Sequence, residues 1–271
     1  MPPFFHMNRG KEFIQRLLYF PTLVIKKTEI LSAFACRLVY YTGKYHVPLH
    51  PKHLHDLGKE WYLELLKPGN TVLDIGCHTG QHTFAAARKS KKVVALDIDI
   101  DSLTQAKNDA RRQRIHNVQF FQHNVNHKLP FAKNTFDTVI FFAVLEHLLQ
   151  RDLAIQEVWR VLKKEGHLFL SVPNKTTLWK SWQKTVGLPS FSDPDHKTEY
   201  TKKGIVNLLR RHKFVVLHVE PVAFDMPFVG VIDLIGGISI SLYKFLSKLR
   251  YWLVMRFPSQ TTSFQIIAQK K

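Results

Sequence analysis

The chain predicts an α/β fold, a three-layer sandwich on a mostly parallel sheet. Short apolar runs alternate with helix-like segments from Thr71 to the end of the chain, the pattern of successive strand–helix crossovers. A glycine-marked turn, Gly76 to Gly80, directly follows the first apolar run, as in sites where a strand hands a ligand to the start of a helix. With 271 residues, there is room for one core of about 200 residues plus appendages.

Residues 1–58 precede that core. Phe13, Ile14, Leu17 and Leu18 fall at helical spacing among Lys11, Gln15 and Arg16, and the pattern repeats from Ile30 to Tyr41. Two amphipathic, basic helices are expected, broken near Pro21, which either cap the core or lie on lipid. A histidine-dense loop, Tyr45 to His55, and a helix from Asp56 to Leu66 lead into the core, residues 59–271.

The first strand begins at Thr71 and carries Asp74, and Gln81 to Arg88 is the helix after the turn. A pyrophosphate-binding turn needs glycine at its centre, where this chain has His78, so a dinucleotide is not expected. The second strand, Val93 to Asp97, ends in an acid placed to accept the hydroxyls of a ribose, and Ile98 follows to pack on a base. A helix from Asp101 to Gln113 starts on Asp101 or Ser102 as its cap. Further strands are Val118 to Gln122, Phe136 to Phe142, Leu168 to Val172, Phe214 to Val219 and Ser263 to Gln269, with a helix from Thr201 to His212 before the sixth.

In chain order stand Asp74-x-Gly76-x-x-x-Gly80, Phe136-Asp137, Val144-Leu145-Glu146-His147-Leu148, Arg160-Val161-Leu162-Lys163 with Gly166, and Val172-Pro173-Asn174. This set, spanning residues 58–220, resembles the class I S-adenosylmethionine (SAM) dependent methyltransferases, in the group that includes the ubiquinone and menaquinone biosynthetic enzymes. The resemblance implies a Rossmann-like, seven-stranded sheet whose last strand is antiparallel, and SAM as cofactor. Asp74, Gly76, Cys77 and Gly80 would then shape the methionine end of the site and Asp97 would hold the ribose. Ile98, Asn124 and Val125 would flank the adenine, with Asn124 standing where relatives carry an acid. Phe142 and Ala143 would pass beneath the sulfonium, and Glu146 and His147 would open on the reacting methyl. His147 is the expected general base, with His196 behind it; His196, Tyr200 and Thr201 loosely match a pattern in relatives. Some relatives hold a divalent metal with Glu-x-x-Glu-His. Here Ala143 replaces the first Glu and the fifteen histidines are scattered, so no metal is expected. The Asn/Asp-Pro-Pro-Tyr turn of amino-directed relatives is missing after the fourth strand, which disfavours adenine and glutamine amides as acceptors.

The net charge of +18 calls for an anionic partner, a membrane surface before nucleic acid. Cys36 and Cys77 are too few for a disulfide framework, and Met1 to Lys11 lacks the apolar run of a signal peptide, so a reducing, cytoplasmic setting is expected. The insertion 221–262 separates strands six and seven. Met226 to Tyr243 is apolar apart from Asp233, and Lys244, Lys248, Arg250 and Arg256 then interleave with aromatic residues. An interfacial hairpin fits these residues better than a membrane span. The connections 173–198 and 221–262 leave strand carboxyl ends and are expected to border the site. The resulting expectation is a peripheral, membrane-associated methyltransferase acting on an O or C acceptor of a lipid-like or lipid-carried substrate. An RNA or small-metabolite methyltransferase and a non-catalytic SAM-binding scaffold are the alternatives.

Overall fold

The computed structural model describes residues 9–45, 48, 50–54 and 61–271. The chain divides into two compact units, a helical one (1–57, 176–192 and 223–262) and a sheet one (58–175, 193–222 and 263–271). In chain order the helices are α1 (Arg9–Lys27), α2 (Leu31–Tyr41), α3 (Gln81–Ala87), α4 (Ile100–Arg112), α5 (Arg151–Val161), α6 (Leu178–Thr185), α7 (Lys202–Arg211), α8 (Val229–Ile238) and α9 (Ile240–Arg256).

The sheet unit is built on β1 (Thr71–Ile75), β2 (Lys92–Asp97), β3 (Val118–Gln122), β4 (Phe136–Phe142), β5 (Leu162–Pro173), β6 (Phe214–Pro221) and β7 (Ser263–Lys270). Their order across the sheet is β3-β2-β1-β4-β5-β7-β6. The first five strands pair in parallel, while β7 runs antiparallel between β5 and β6. Leu73, Ile75, Val139, Phe141, Leu168 and Leu170 are buried with Val158 and Val161 of α5, and Val72, Ile140 and Phe169 join Ala86 and Ala87 of α3. Central parallel strands covered on both faces read as continuous apolar runs, which explains why their positions follow from sequence. Strand order reverses between β1 and β4, and ligands of such sheets bind outside the carboxyl ends at that reversal.

Several local expectations need correction. The cap of α4 is Asp99, whose carboxylate accepts from Asp101 N and Ser102 N; its extended backbone suits the cap position, whereas Asp101 and Ser102 are already helical. Of the helix expected over 56–66, residues 56–60 lie outside the described residues, and the remainder is a turn followed by a 3-10 helix at Leu63–Leu65. Pro21 does not break α1. Beside it the Thr22 hydroxyl donates to Leu18 O at 2.7 Å and accepts from Trp182 Nε1 at 3.0 Å, so packing against α6 holds the helix through a residue that removes one of its hydrogen bonds.

Within the helical unit the apolar run from Met226 is two helices parted at Ser239, whose extended backbone ends α8 and whose hydroxyl caps α9. Asp233 is buried on α8 and accepts from Ser32 Oγ at 2.6 Å and Tyr243 OH at 3.2 Å, with His50 Nε2 at 3.2 Å. Among the described residues no helix is long and apolar enough to cross a membrane. Glycines let α8 pack closely: a Cβ on Gly230 would lie 1.9 Å from the backbone oxygen of Thr28. Gly230→Ala is therefore expected to destabilise the protein by roughly 2–4 kcal/mol, since backbone cannot yield as a side chain can. Gly69→Ala, with no atom of the described residues within 4 Å of its added Cβ, is the control; equal urea midpoints for the two variants would refute the close packing.

Candidate active site

The turn after β1 is a run of left-handed conformations. Gly76, His78 and Gly80 have φ of 75°, 47° and 90°, and the amides of Gly76 and Cys77 both donate to Leu96 O at the end of β2. Glycine is required at position 76 for a second reason: an added Cβ would meet Val144 Cγ2 at 2.1 Å. The glycine thus makes room for the β4 loop. His78 tolerates its left-handed backbone, a cost of roughly 1–2 kcal/mol, because its amide donates to Asp97 Oδ2 at 2.7 Å. Asp74 is buried beneath the turn and accepts from Thr83 Oγ1 at 2.5 Å. Burial, with the Asp97 charge adding to it, pushes the Asp74 carboxyl up to about 7. Cys77 packs on Ala95 and Leu103, and burial beside Asp74 and Asp97 pushes its thiol far up, so it stays protonated and inert.

At the end of β2, Asp97 also accepts from Asp99 N at 2.9 Å. A carboxylate has about four lone-pair sites, which leaves capacity on both oxygens for hydroxyl donors. Ile98 beside it is exposed. Asn124 spends its Oδ1 on Asn126 N and Nδ2. Asn126 in turn accepts from Leu149 N and Gln150 N at the start of α5, so Asn124 fixes the turn that carries Val125, which is buried in the core.

The end of β4 gathers the remaining candidates. Phe142 joins an aromatic cluster with Trp61, Tyr62 and His82, and the Tyr62 hydroxyl lies 2.9 Å from His82 Nδ1. Ala143 has φ 54° and turns the chain into a 3-10 helix at Leu145–His147. The segment bearing His196 comes from after β5. Lys197 N and Thr198 N both donate to Glu146 O, and Tyr200 N donates to Pro173 O. These bonds bring the rings of His147 and His196 to a centroid distance of 4.7 Å, edge to face. His196 Nδ1 lies 3.1 Å from Glu199 Oε1, and His196 Nε2 lies 3.9 Å from Glu146 Oε1. Glu146 and Glu199 are buried; burial, with the charges of Glu199 and Asp193 adding to it, pushes Glu146 up to about 7. His147 and His196 therefore meet, as two expected candidates from distant segments. Glu199 was not foreseen, although its place three residues after His196 is a spacing at which side chains interact in a tight turn.

A family model described as a methyltransferase domain matches residues 66–211. The chain belongs to the methyltransferase-domain family. The cofactor this membership implies is SAM. A ubiquinone/menaquinone biosynthesis C-methyltransferase of Hydrogenovibrio crunogenus is 34% identical over 131 residues, 46% of this chain and 51% of that protein. The chain thus matches about half the length of this curated relative. A SAM-dependent methyltransferase of Aquifex aeolicus, solved as a crystal structure, is 19% identical, covers 82% of this chain and 97% of its own, and superposes with a TM-score of 0.54. The [4+2]-cyclase SpnF is 21% identical with a TM-score of 0.56, covering 76% of each chain. These two structures establish the fold, and a fold hosts more than one chemistry. The donor set fits SAM: a buried, desolvated carboxylate at Asp74 complements an ammonium, and Asp97 at the neighbouring strand end accepts hydroxyl protons.

Proposed function

We propose that the chain is a SAM-dependent methyltransferase whose acceptor is a lipid-like phenol, enol or alcohol taken at a membrane surface. The observation that carries the chemistry is the meeting of His147 and His196 with two buried carboxylates at the end of β4. SAM supplies an electrophilic methyl, so the protein's work is to position the acceptor, exclude water and remove a proton. Asp74 and Asp97 hold the two ends of the cofactor in this reading, and the imidazole cluster takes the acceptor's proton. Loss of a phenol or enol proton makes both the oxygen and a conjugated carbon nucleophilic. The reading therefore accommodates the C-methyltransferase named among the relatives.

Support for the membrane comes from the helical unit. Phe13, Leu17, Phe20 and Val24 form an exposed stripe along α1, and Leu242, Phe245, Leu249 and Trp252 form another along α9. Phe13 and Phe20 are each 68% exposed, Phe245 64% and Trp252 63%. Lys244, Lys248 and Arg256 are also exposed on α9. Apolar stripes flanked by cations suit an anionic lipid interface.

The decisive experiment is incubation of purified protein with methyl-labelled SAM and, separately, the lipid and RNA fractions of a cell extract. Label is expected in the lipid fraction and absent with Gly76→Arg. Label in RNA alone would redirect the basic surface to nucleic acid, and retained SAM binding with no transfer would leave a scaffold. For docking, Phe245→Glu with Trp252→Glu is expected to lower co-sedimentation with phosphatidylglycerol vesicles by at least about tenfold, from the loss of two inserted apolar side chains. Undiminished pelleting would sink the lipid-surface role.

A further inference from the structure

The side chains of Glu146, His147 and His196 present one ligand atom each, all within 4.8 Å of one another. The 3.9 Å between His196 Nε2 and Glu146 Oε1 is too long for a hydrogen bond. It lies within the separation that two ligands of one ion, each at about 2.0–2.2 Å, can have. His147, half-buried beside them, has the latitude to close the third side.

Two further observations point the same way. Among the described residues Glu146 Oε2 is buried with no hydrogen-bond partner, an arrangement that is costly for an ionised oxygen and that a cation would relieve. His196 is oriented by a second carboxylate, with Glu199 Oε1 at 3.1 Å from Nδ1. An imidazole that gives its Nδ1 proton to a carboxylate carries its lone pair on Nε2, the atom that faces Glu146; metal-binding histidines are held in this way by an outer carboxylate.

We infer that Glu146, His147 and His196 bind a divalent transition-metal ion of the zinc class, with Glu199 as the positioning residue behind His196. Two imidazoles and one carboxylate favour such an ion over magnesium or calcium, which prefer oxygen ligands. Three protein ligands leave an open position. The expectation of no metal rests on Ala143, which removes one carboxylate from a contiguous motif; here the third donor arrives from the separate segment bearing His196. Use of the ion in catalysis rests on the methyltransferase reading and changes the base in it: with both imidazole lone pairs on the ion, an acceptor hydroxyl in the open position would give its proton to solvent, not to His147 or His196, at near-neutral pH. Binding of the ion does not rest on that reading.

The full chain, stripped with chelator, is titrated with cobalt(II) while visible absorption is followed, then with zinc as competitor. One equivalent is expected, with the ligand-field bands of a nitrogen–oxygen site that zinc abolishes. Glu146→Gln and His196→Gln should each weaken binding at least 100-fold, and Glu199→Gln 10- to 100-fold, the range for an outer-shell partner. SAM affinity, measured calorimetrically, should stay within threefold in every variant and serves as the check on folding. If a buried-site variant fails that check, His147→Ala, at the half-buried position, takes its place. No bound cobalt, or affinity unaltered by these substitutions, overturns the metal site even if methyl transfer proceeds. Stoichiometric metal without methyl transfer to any acceptor leaves the site standing and overturns the methyltransferase reading instead.

Discussion

Gly76→Ala is expected to remove SAM binding and to destabilise the sheet unit by roughly 2–5 kcal/mol, the combined scale of left-handed strain and overpacking. The two contributions are separable. The backbone at position 76 has φ 75°, which any L side chain resists. Independently, the new Cβ would stand 2.1 Å from Val144 Cγ2. Val144 follows the left-handed Ala143 and directly precedes Leu145–His147, so pushing it aside displaces Glu146 and His147 as well as the cofactor turn. Val144→Ala deletes the colliding methyl. In the double variant the collision is gone and only the backbone strain remains, so a coupling of about 1–3 kcal/mol should appear between the two positions. Urea unfolding and SAM calorimetry on the four proteins measure it. Additive effects would mean that the turn does not depend on the β4 loop.

Residues that form the central strands are legible because burial on both faces leaves apolar runs, as in β4, which coincides with its expected limits; β3, an edge strand without a fully buried residue, also coincides, marked by Val118 and Phe120-Phe121. The antiparallel placement of β7 followed from family resemblance and agrees with its pairing to β5 and β6. Features set by tertiary contact were not legible. Pro21 stays helical because Trp182 reaches Thr22, a residue far away in sequence. Three acids alternate at Asp97, Asp99 and Asp101, and only the backbone conformation selects Asp99 as the cap. The amides of Lys197 and Thr198 deliver His196 to Glu146. Backbone donors have no side-chain signature, so the meeting of His147 with His196 could be expected only by analogy. Asn124, where the family resemblance leads one to expect an acid, spends its amide oxygen on Asn126, a local role that residue type alone does not reveal.

Asp74→Asn should strengthen the ligand-free protein at alkaline pH while weakening SAM binding. Burial raises the folded-state pKa of Asp74 from 3.8 to about 7. Between those values the folded chain holds more protons than the unfolded chain. The stability linked to Asp74 is therefore complete below the unfolded pKa and is lost as pH rises through about 7. Asparagine has no such dependence. Relative to the variant, the parent is expected to lose about 2 kcal/mol between pH 5.5 and 8, at roughly 1.4 kcal/mol per pH unit below the folded pKa. SAM reverses the order. An ammonium against Asp74 favours the ionised carboxylate, so binding to the parent should release a proton below pH 7 and tighten with rising pH, up to about tenfold per unit. In Asp74→Asn the affinity should be flat with pH and weaker by at least about 100-fold, the consequence of leaving a buried cation unpaired. Calorimetry in buffers of different ionisation enthalpy reads the proton directly. Equal pH slopes for parent and variant would place the cofactor's ammonium elsewhere and leave the buried carboxylate a structural partner of Thr83.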